Sequence, residues 1–154
     1  MTQDPALLRR LLRARDRMDA ASAEKWPVAR LAKVSGVSAA HFAREFRNAF
    51  GVPPHRYLLT RRIERAAALL RDTNLPVTDV AFQTGWQSLG TFGRIFRDIT
   101  GESPGELRIR QQAESLAAVG VPVCIERAAR RPQLNTAVSE KRRRAAAGIK
   151  RTNK

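Results

Sequence analysis

The sequence predicts an all-α fold in which two copies of one small helical unit are joined by a long central helix and followed by a basic, partly disordered C-terminal tail. Three observations predict it. One segment recurs within the chain, apolar residues return every three or four positions through most of the first 118 residues, and glycine, proline or serine punctuates each run.

Composition bounds the problem. At 154 residues with 43% hydrophobic content, the chain is long enough for one ordinary core or two very small ones. Lysine and arginine total 29 against 14 acids, a net charge of +15. A polyanion, either nucleic acid or an anionic membrane, is therefore the first partner to consider. Residues 1–110 carry +8 and residues 111–154 carry +7, so the excess is densest in the tail. Cys124 is alone, which excludes an intrachain disulfide and a zinc knuckle and fits a reducing compartment. No metal site or cofactor is expected. Arg9, Arg10 and Arg13 interrupt the leucines at 7, 8, 11 and 12, so a membrane span is not expected there. The same interruptions count against reading "ASA" at 21–23 as a signal-cleavage site. The expected location is the cytoplasm.

The first element is an amphipathic helix opened by Asp4 as N-cap and Pro5 at its first position, with apolar residues at 7, 8, 11, 12 and 18. The repeat follows. "VARLAKVSGVSAAHFAREFRNAFGVPP" (28–54) aligns with "VTDVAFQTGWQSLGTFGRIFRDITGESP" (77–104) when Gln87 is taken as an insertion. The matches are Val28/Val77, Ala32/Ala81, Gly36/Gly85, Ser38/Ser88, Phe42/Phe92, Arg44/Arg94, Phe46/Phe96, Arg47/Arg97, Gly51/Gly101 and Pro54/Pro104. Each copy reads as a short helix, a tight turn at the glycine, a serine N-cap and a second helix closed by another glycine. This is the helix-turn-helix plan, in homeodomain-like three-helix units. Ala32 and Ala81 are small where two helices cross steeply, and Gly36 and Gly85 supply the positive φ of the turn. Phe42, Phe46 and Phe50 form one small core, and Phe92, Phe96 and Ile99 the other.

Between the copies, "HRYLLTRRIERAAALLRDTN" places apolar residues at 59, 63, 66 and 70, the spacing of one continuous helix. From Pro54 to about Asp72 it spans roughly 27 Å and sets the separation of the units. A final short helix over about 103–118 is expected to pack under the second unit. These segments make up one domain over 1–118, with helix-turn-helix motifs at about 28–50 and 77–100. Residues 119–154 form a basic tail of unknown role. The apolar "VGVPVCI" within it is compatible with a short strand or a docked segment, and the end is low in complexity.

The chemistry sits on the second helix of each copy. Opposite the phenylalanines, the first copy presents Ala40, Ala43, Arg44 and Arg47 and the second Gly90, Gly93, Arg94 and Arg97. A solvated face favours long polar residues, and an interior glycine costs about 1 kcal/mol relative to alanine. Small residues let a backbone approach a surface closely, and arginines can then bond guanine O6 and N7 or grip phosphate. A major groove is the natural counterpart. The competing reading puts the glycines against another protein helix and leaves the arginines as solubilising charges. Ser38 and Ser88 are N-caps first and candidate phosphate contacts second. Thr91 can touch a base or only pack. His41 suits a phosphate or sugar contact or a capping role, and His55 has no assigned role. Trp26 and Trp86 read as core or staple residues. Arg61, Arg62 and Arg65 read as a mostly solvated face, with a phosphate contact as the alternative. No nucleophile, base and orienting acid recur at a useful spacing, so no catalytic residue is assigned.

"VTDVAFQTGWQSLGTFGRIFRDITGESPGELR" and, less closely, the first copy with the joining helix resemble the DNA-binding region of the AraC/XylS family of bacterial transcription regulators, over about residues 5–110. The resemblance implies two helix-turn-helix units binding successive major grooves on one DNA face. It implies Arg44 and Arg94 as base readers, Ala40, Ala43, Gly90, Thr91 and Gly93 at the other groove-facing positions, and Arg47 and Arg97 at phosphate-contacting positions. Larger polar residues are frequent at several of these places in the family, so a sparse direct code with more weight on DNA shape is expected. Trp86 stands where phenylalanine is usual and Leu107 where an aromatic is usual. Only a short helix precedes the region, so no small-molecule effector domain is expected. The implied partners are double-stranded DNA and a further protein, RNA polymerase or another regulator. The alternatives are a nonspecific or architectural nucleic-acid binder driven by charge, and a protein-interaction adaptor.

Overall fold

The computed structural model describes residues 4–120, so "VGVPVCI" beyond Gly120, Cys124 and the basic end lie outside the described residues. The chain divides into two units, Met1–Gln111 and Gln112–Lys154. Regular structure among the described residues is wholly helical: α1 (Pro5–Ala20), α2 (Val28–Ser35), α3 (Ala39–Phe50), α4 (Pro54–Asp72), α5 (Val77–Gln83), α6 (Leu89–Thr100) and α7 (Pro104–Ala118). None of these helices is long and apolar enough to cross a membrane.

Helix α1 starts where Asp4 accepts a hydrogen bond from the Ala6 amide at 2.9 Å, just ahead of Pro5. Its buried stripe, Leu11, Ala14 and Met18, meets Leu31 and Ala32 of α2, Phe42 and Phe46 of α3 and Leu58 of α4. Phe46 packs its ring 4.5 Å from that of Phe50 and 5.7 Å from that of Tyr57, which closes the first core toward the joining helix. The second core gathers Val80 and Ala81 of α5, Trp86 of the turn that follows it, Phe92 and Phe96 of α6, and Leu107 of α7 around Ile63, Ala66 and Leu70 of α4.

Helix α4 therefore serves both cores. Its first buried leucine is Leu58, on the first core, whereas Leu59 is half-buried against the second. The single stripe through 59 expected from the sequence splits for that reason: a helix shared by two cores turns a different face to each. At 19 residues, α4 is about 28 Å long.

The two turns repeat bond for bond. Val37 donates to the Ala32 carbonyl at 3.1 Å and Gly36 to that of Lys33 at 3.2 Å, while Trp86 donates to Ala81 and Gly85 to Phe82, each at 3.1 Å. Such back-bonding needs a left-handed residue after the helix, and Gly36 at φ 64° and Gly85 at φ 91° supply it.

Candidate nucleic-acid interface

The second helix of each motif is built by the same local rules. Ser38 Oγ accepts from the His41 amide and Ser88 Oγ from the Thr91 amide, both at 3.3 Å, which fixes where α3 and α6 begin. Phe42 and Phe46, and likewise Phe92 and Phe96, are fully buried. That burial determines which side of each helix remains outside. The serines therefore act as caps, with their hydroxyl protons available to an external acceptor.

On the outer sides lie Ala40, Arg44 and Arg47 of α3 and Gly90, Thr91, Arg94 and Arg97 of α6, all exposed, with Ala43 and Gly93 half-exposed. A Cβ built on Gly93 meets nothing within 4 Å, and one on Gly90 meets only Ser88 Oγ at 3.8 Å. No described part of the chain packs closely enough to require glycine at either place. No helix among the described residues demands them.

The four arginines are held differently. Arg44 donates through Nε to Glu45 Oε1 at 3.1 Å and through Nη2 to His41 Nδ1 at 2.9 Å. The hydrogen bond from Arg44 holds the Glu45 carboxyl below its ordinary range. Arg97 donates to Glu106 Oε2 at 3.1 Å. Glu106 also accepts from the Ser103 amide at 2.6 Å while Ser103 Oγ caps the Glu106 amide, a capping box that starts α7 and lowers the carboxyl's pKa, chiefly through the Ser103 bonds. The guanidinium groups of Arg47 and Arg94 have no hydrogen-bond or ion-pair partner among the described residues.

Sequence reading missed the contacts that the loop after α1 makes with the joining helix and the second turn. Arg62 is half-buried, and its guanidinium donates to the carbonyls of Ser22 and Glu24, each at 2.7 Å. Burial pulls its pKa down, but it stays a cation. The solvated-face reading of Arg62 is corrected accordingly, because the loop after α1 folds over the joining helix. The same loop touches the second turn: a Cβ on Gly85 would stand 2.5 Å from the Ala23 carbonyl oxygen. This brings Lys25 to a cleft it shares with Arg62, Gln87, Ser88 and Thr91, beside the start of α6. Gln87 could have been found from its status as the inserted residue; Lys25 carries no such signal. Arg61 pairs with Asp19 at 2.9 Å and Glu64 at 2.6 Å, and Arg65 reaches Ser22 Oγ at 3.5 Å. Trp26 and Trp86 pack with the first and second cores, respectively.

A capped helix with a small, arginine-bearing outer face, present twice, is a surface that fits a grooved polyanion. Known proteins bear on it directly. A family model described as a helix-turn-helix domain matches residues 31–110. An uncharacterized HTH-type transcriptional regulator of Staphylococcus aureus (strain COL) is 34% identical over 85 residues, 55% of this chain and 11% of that protein. The HTH-type transcriptional regulator MtrA of Neisseria gonorrhoeae is 31% identical over 85 residues, 55% of this chain and 28% of that one. The chain thus spans a third or less of the length of these relatives. Among solved structures, the DNA-binding domain of the global transcriptional factor AdpA, in complex with a target DNA, superposes with a TM-score of 0.66 at 28% identity, covering 68% of this chain and 95% of that one. A transcriptional regulator with an AraC-type DNA-binding domain from Chromobacterium violaceum gives 0.64 at 26% identity, covering 70% and 96%. By this match of motif, order and fold, the chain belongs to the AraC/XylS family of helix-turn-helix transcription regulators.

Proposed function

We propose that the protein is a sequence-specific DNA-binding transcription regulator that inserts α3 and α6 into adjacent major-groove segments about 34 Å, or one helical turn, apart. In this reading Arg44 and Arg94 read base edges, and Ala40, Ala43, Gly90, Thr91 and Gly93 let the helices approach. Arg47, Arg97, Ser38, Ser88 and His41 hold the phosphate backbone. The observation that carries the reading is the openness around Gly90 and Gly93: glycine is kept where the fold itself does not need it. The AdpA domain solved with its target DNA and the relatives named as transcriptional regulators support it. Double-stranded DNA in a bacterial cytoplasm is then the partner, with RNA polymerase or another regulator as the protein it acts through.

The net charge of +15 favours a second reading, a nonspecific or architectural binder held by counterion release. Selection of bound fragments from random DNA, followed by salt titration on the selected site and on scrambled sequence, separates the two. A site-to-random ratio well above one at about 150 mM salt supports the regulator; a ratio near one supports the charge-driven binder.

A further inference from the structure

We infer that His41 is a positioning residue for Arg44, so that the first recognition helix presents a pre-set arginine and the second an unrestrained one. The inference rests on the assignment of Arg44 and Arg94 as base readers. Arg44 is exposed, yet two residues of its own helix hold it: Glu45 accepts from Nε at 3.1 Å, and His41 Nδ1 lies 2.9 Å from Nη2. A guanidinium has no acceptor, so Nδ1 must be the unprotonated nitrogen and the imidazole proton must sit on Nε2. The His41 backbone is fixed at the start of α3, because its amide donates to Ser38 Oγ at 3.3 Å. The imidazole and the guanidinium thus stand as a hydrogen-bonded pair one turn apart on a capped helix start.

Two of the five N–H donors of Arg44 are engaged. Three remain, both on Nη1 among them, enough for the two parallel bonds that guanine O6 and N7 accept. His41 Nε2–H also remains, with no acceptor among the described residues, and is available to a phosphate oxygen. The second copy lacks this brace: Thr91 stands one turn before Arg94, Ile95 follows it, and the Arg94 guanidinium has no hydrogen bond or ion pair among the described residues. An arginine already ordered before binding loses less rotamer freedom on the DNA.

The test uses the full chain on its selected site and on sites substituted at one base pair, with discrimination measured by competition. Base pairs are assigned to the two arginines by the losses in Arg44→Ala and Arg94→Ala. His41→Ala is expected to lower discrimination at the Arg44 base pair by roughly 2- to 10-fold, the ordering of one long side chain, and to leave that at the Arg94 base pair unchanged. His41→Asn, whose amide oxygen can stand near the place of Nδ1, is expected to restore it to within about twofold. Thermal melts of both variants are expected to match the parent. An equal loss on every DNA sequence, or no loss in His41→Ala where Arg44→Ala shows one, overturns the positioning role alone. If Arg44→Ala relaxes no base pair, the assignment of Arg44 fails and the inference falls with it.

Discussion

Gly85 and Ala23 meet backbone to backbone: a methyl group on Gly85 would stand 2.5 Å from the Ala23 carbonyl oxygen and 2.8 Å from its Cα. The turn of the second motif therefore rests on the loop that follows α1. Gly85→Ala must relieve that overlap and also hold a non-glycine residue at φ 91°. Gly36→Ala meets only the left-handed strain, about 1–2 kcal/mol, because its nearest new neighbour is Arg10 Nη1 at 3.9 Å. Chemical denaturation is expected to rank Gly85→Ala as clearly the more destabilising of the two. Equal losses would mean the loop moves aside freely.

Arg62 fastens the same loop from the other side through the carbonyls of Ser22 and Glu24. Arg62→Met keeps the stem and removes the donors. It is expected to cost about 1–3 kcal/mol in unfolding experiments, the range for a charged hydrogen bond and an orphaned acceptor. On DNA, the variant is expected to tolerate a changed spacing between the half-sites better than the parent does. A stability and spacing preference like the parent's would remove Arg62 from this role.

Gly93 separates folding from binding. Its Cβ position is open, so Gly93→Ala is expected to stabilise α6 by about 0.5–1 kcal/mol through helix propensity alone. Gly93→Leu is expected to fold as well as the parent and to lose DNA affinity by at least tenfold, since a branched side chain would stand where the groove must come close. Undiminished binding by Gly93→Leu would show that the face does not meet DNA.

Tyr57 reports on the joint between α1 and α4. Its hydroxyl lies 2.9 Å from both carboxylate oxygens of Asp19, and burial, followed by the hydrogen bond to Asp19, pushes its pKa up to about 12. A folded-state pKa raised above the ordinary value of about 10 means the protonated phenol stabilises the fold. That contribution is fully present below about pH 10 and is lost as pH rises through the folded value near 12. Tyr57 is the single tyrosine, so tyrosinate absorbance follows this group alone. The midpoint is expected near 12 in the folded protein and near 10 in denaturant, and Tyr57→Phe is expected to remove this part of the alkaline destabilisation.

The parts legible in the sequence are those governed by local rules. Ser38, Ser88, Gly36 and Gly85 announce caps and turns because each satisfies backbone groups a few residues away, and Phe42, Phe46, Phe92 and Phe96 announce the cores by helical period. Asp4 and Pro5 start α1 for the same reason. What stayed hidden depends on contacts between distant segments. Arg62 resembles any arginine on an amphipathic helix until the carbonyls of residues 22 and 24 are laid over it, and Ser22, fully buried, belongs to a stretch that resembled a cleavage site. Leu58 and Leu59 are neighbours in sequence but serve different cores, which no single periodicity can express. At the site, periodicity located Arg44, and a place near the start of the helix singled out His41; the 2.9 Å contact between them belongs to side-chain geometry.

The central claim is that one chain reads two half-sites through Arg44 and Arg94. The most direct test is competition binding of the parent, Arg44→Ala and Arg94→Ala against a library of single-base substitutions in the selected site. Each variant is expected to lose about 1–3 kcal/mol of binding and to relax preference at its own base pair, the two lying about one helical turn apart. Losses spread evenly over every sequence, with all base preferences retained, would contradict the claim and leave both arginines as phosphate contacts.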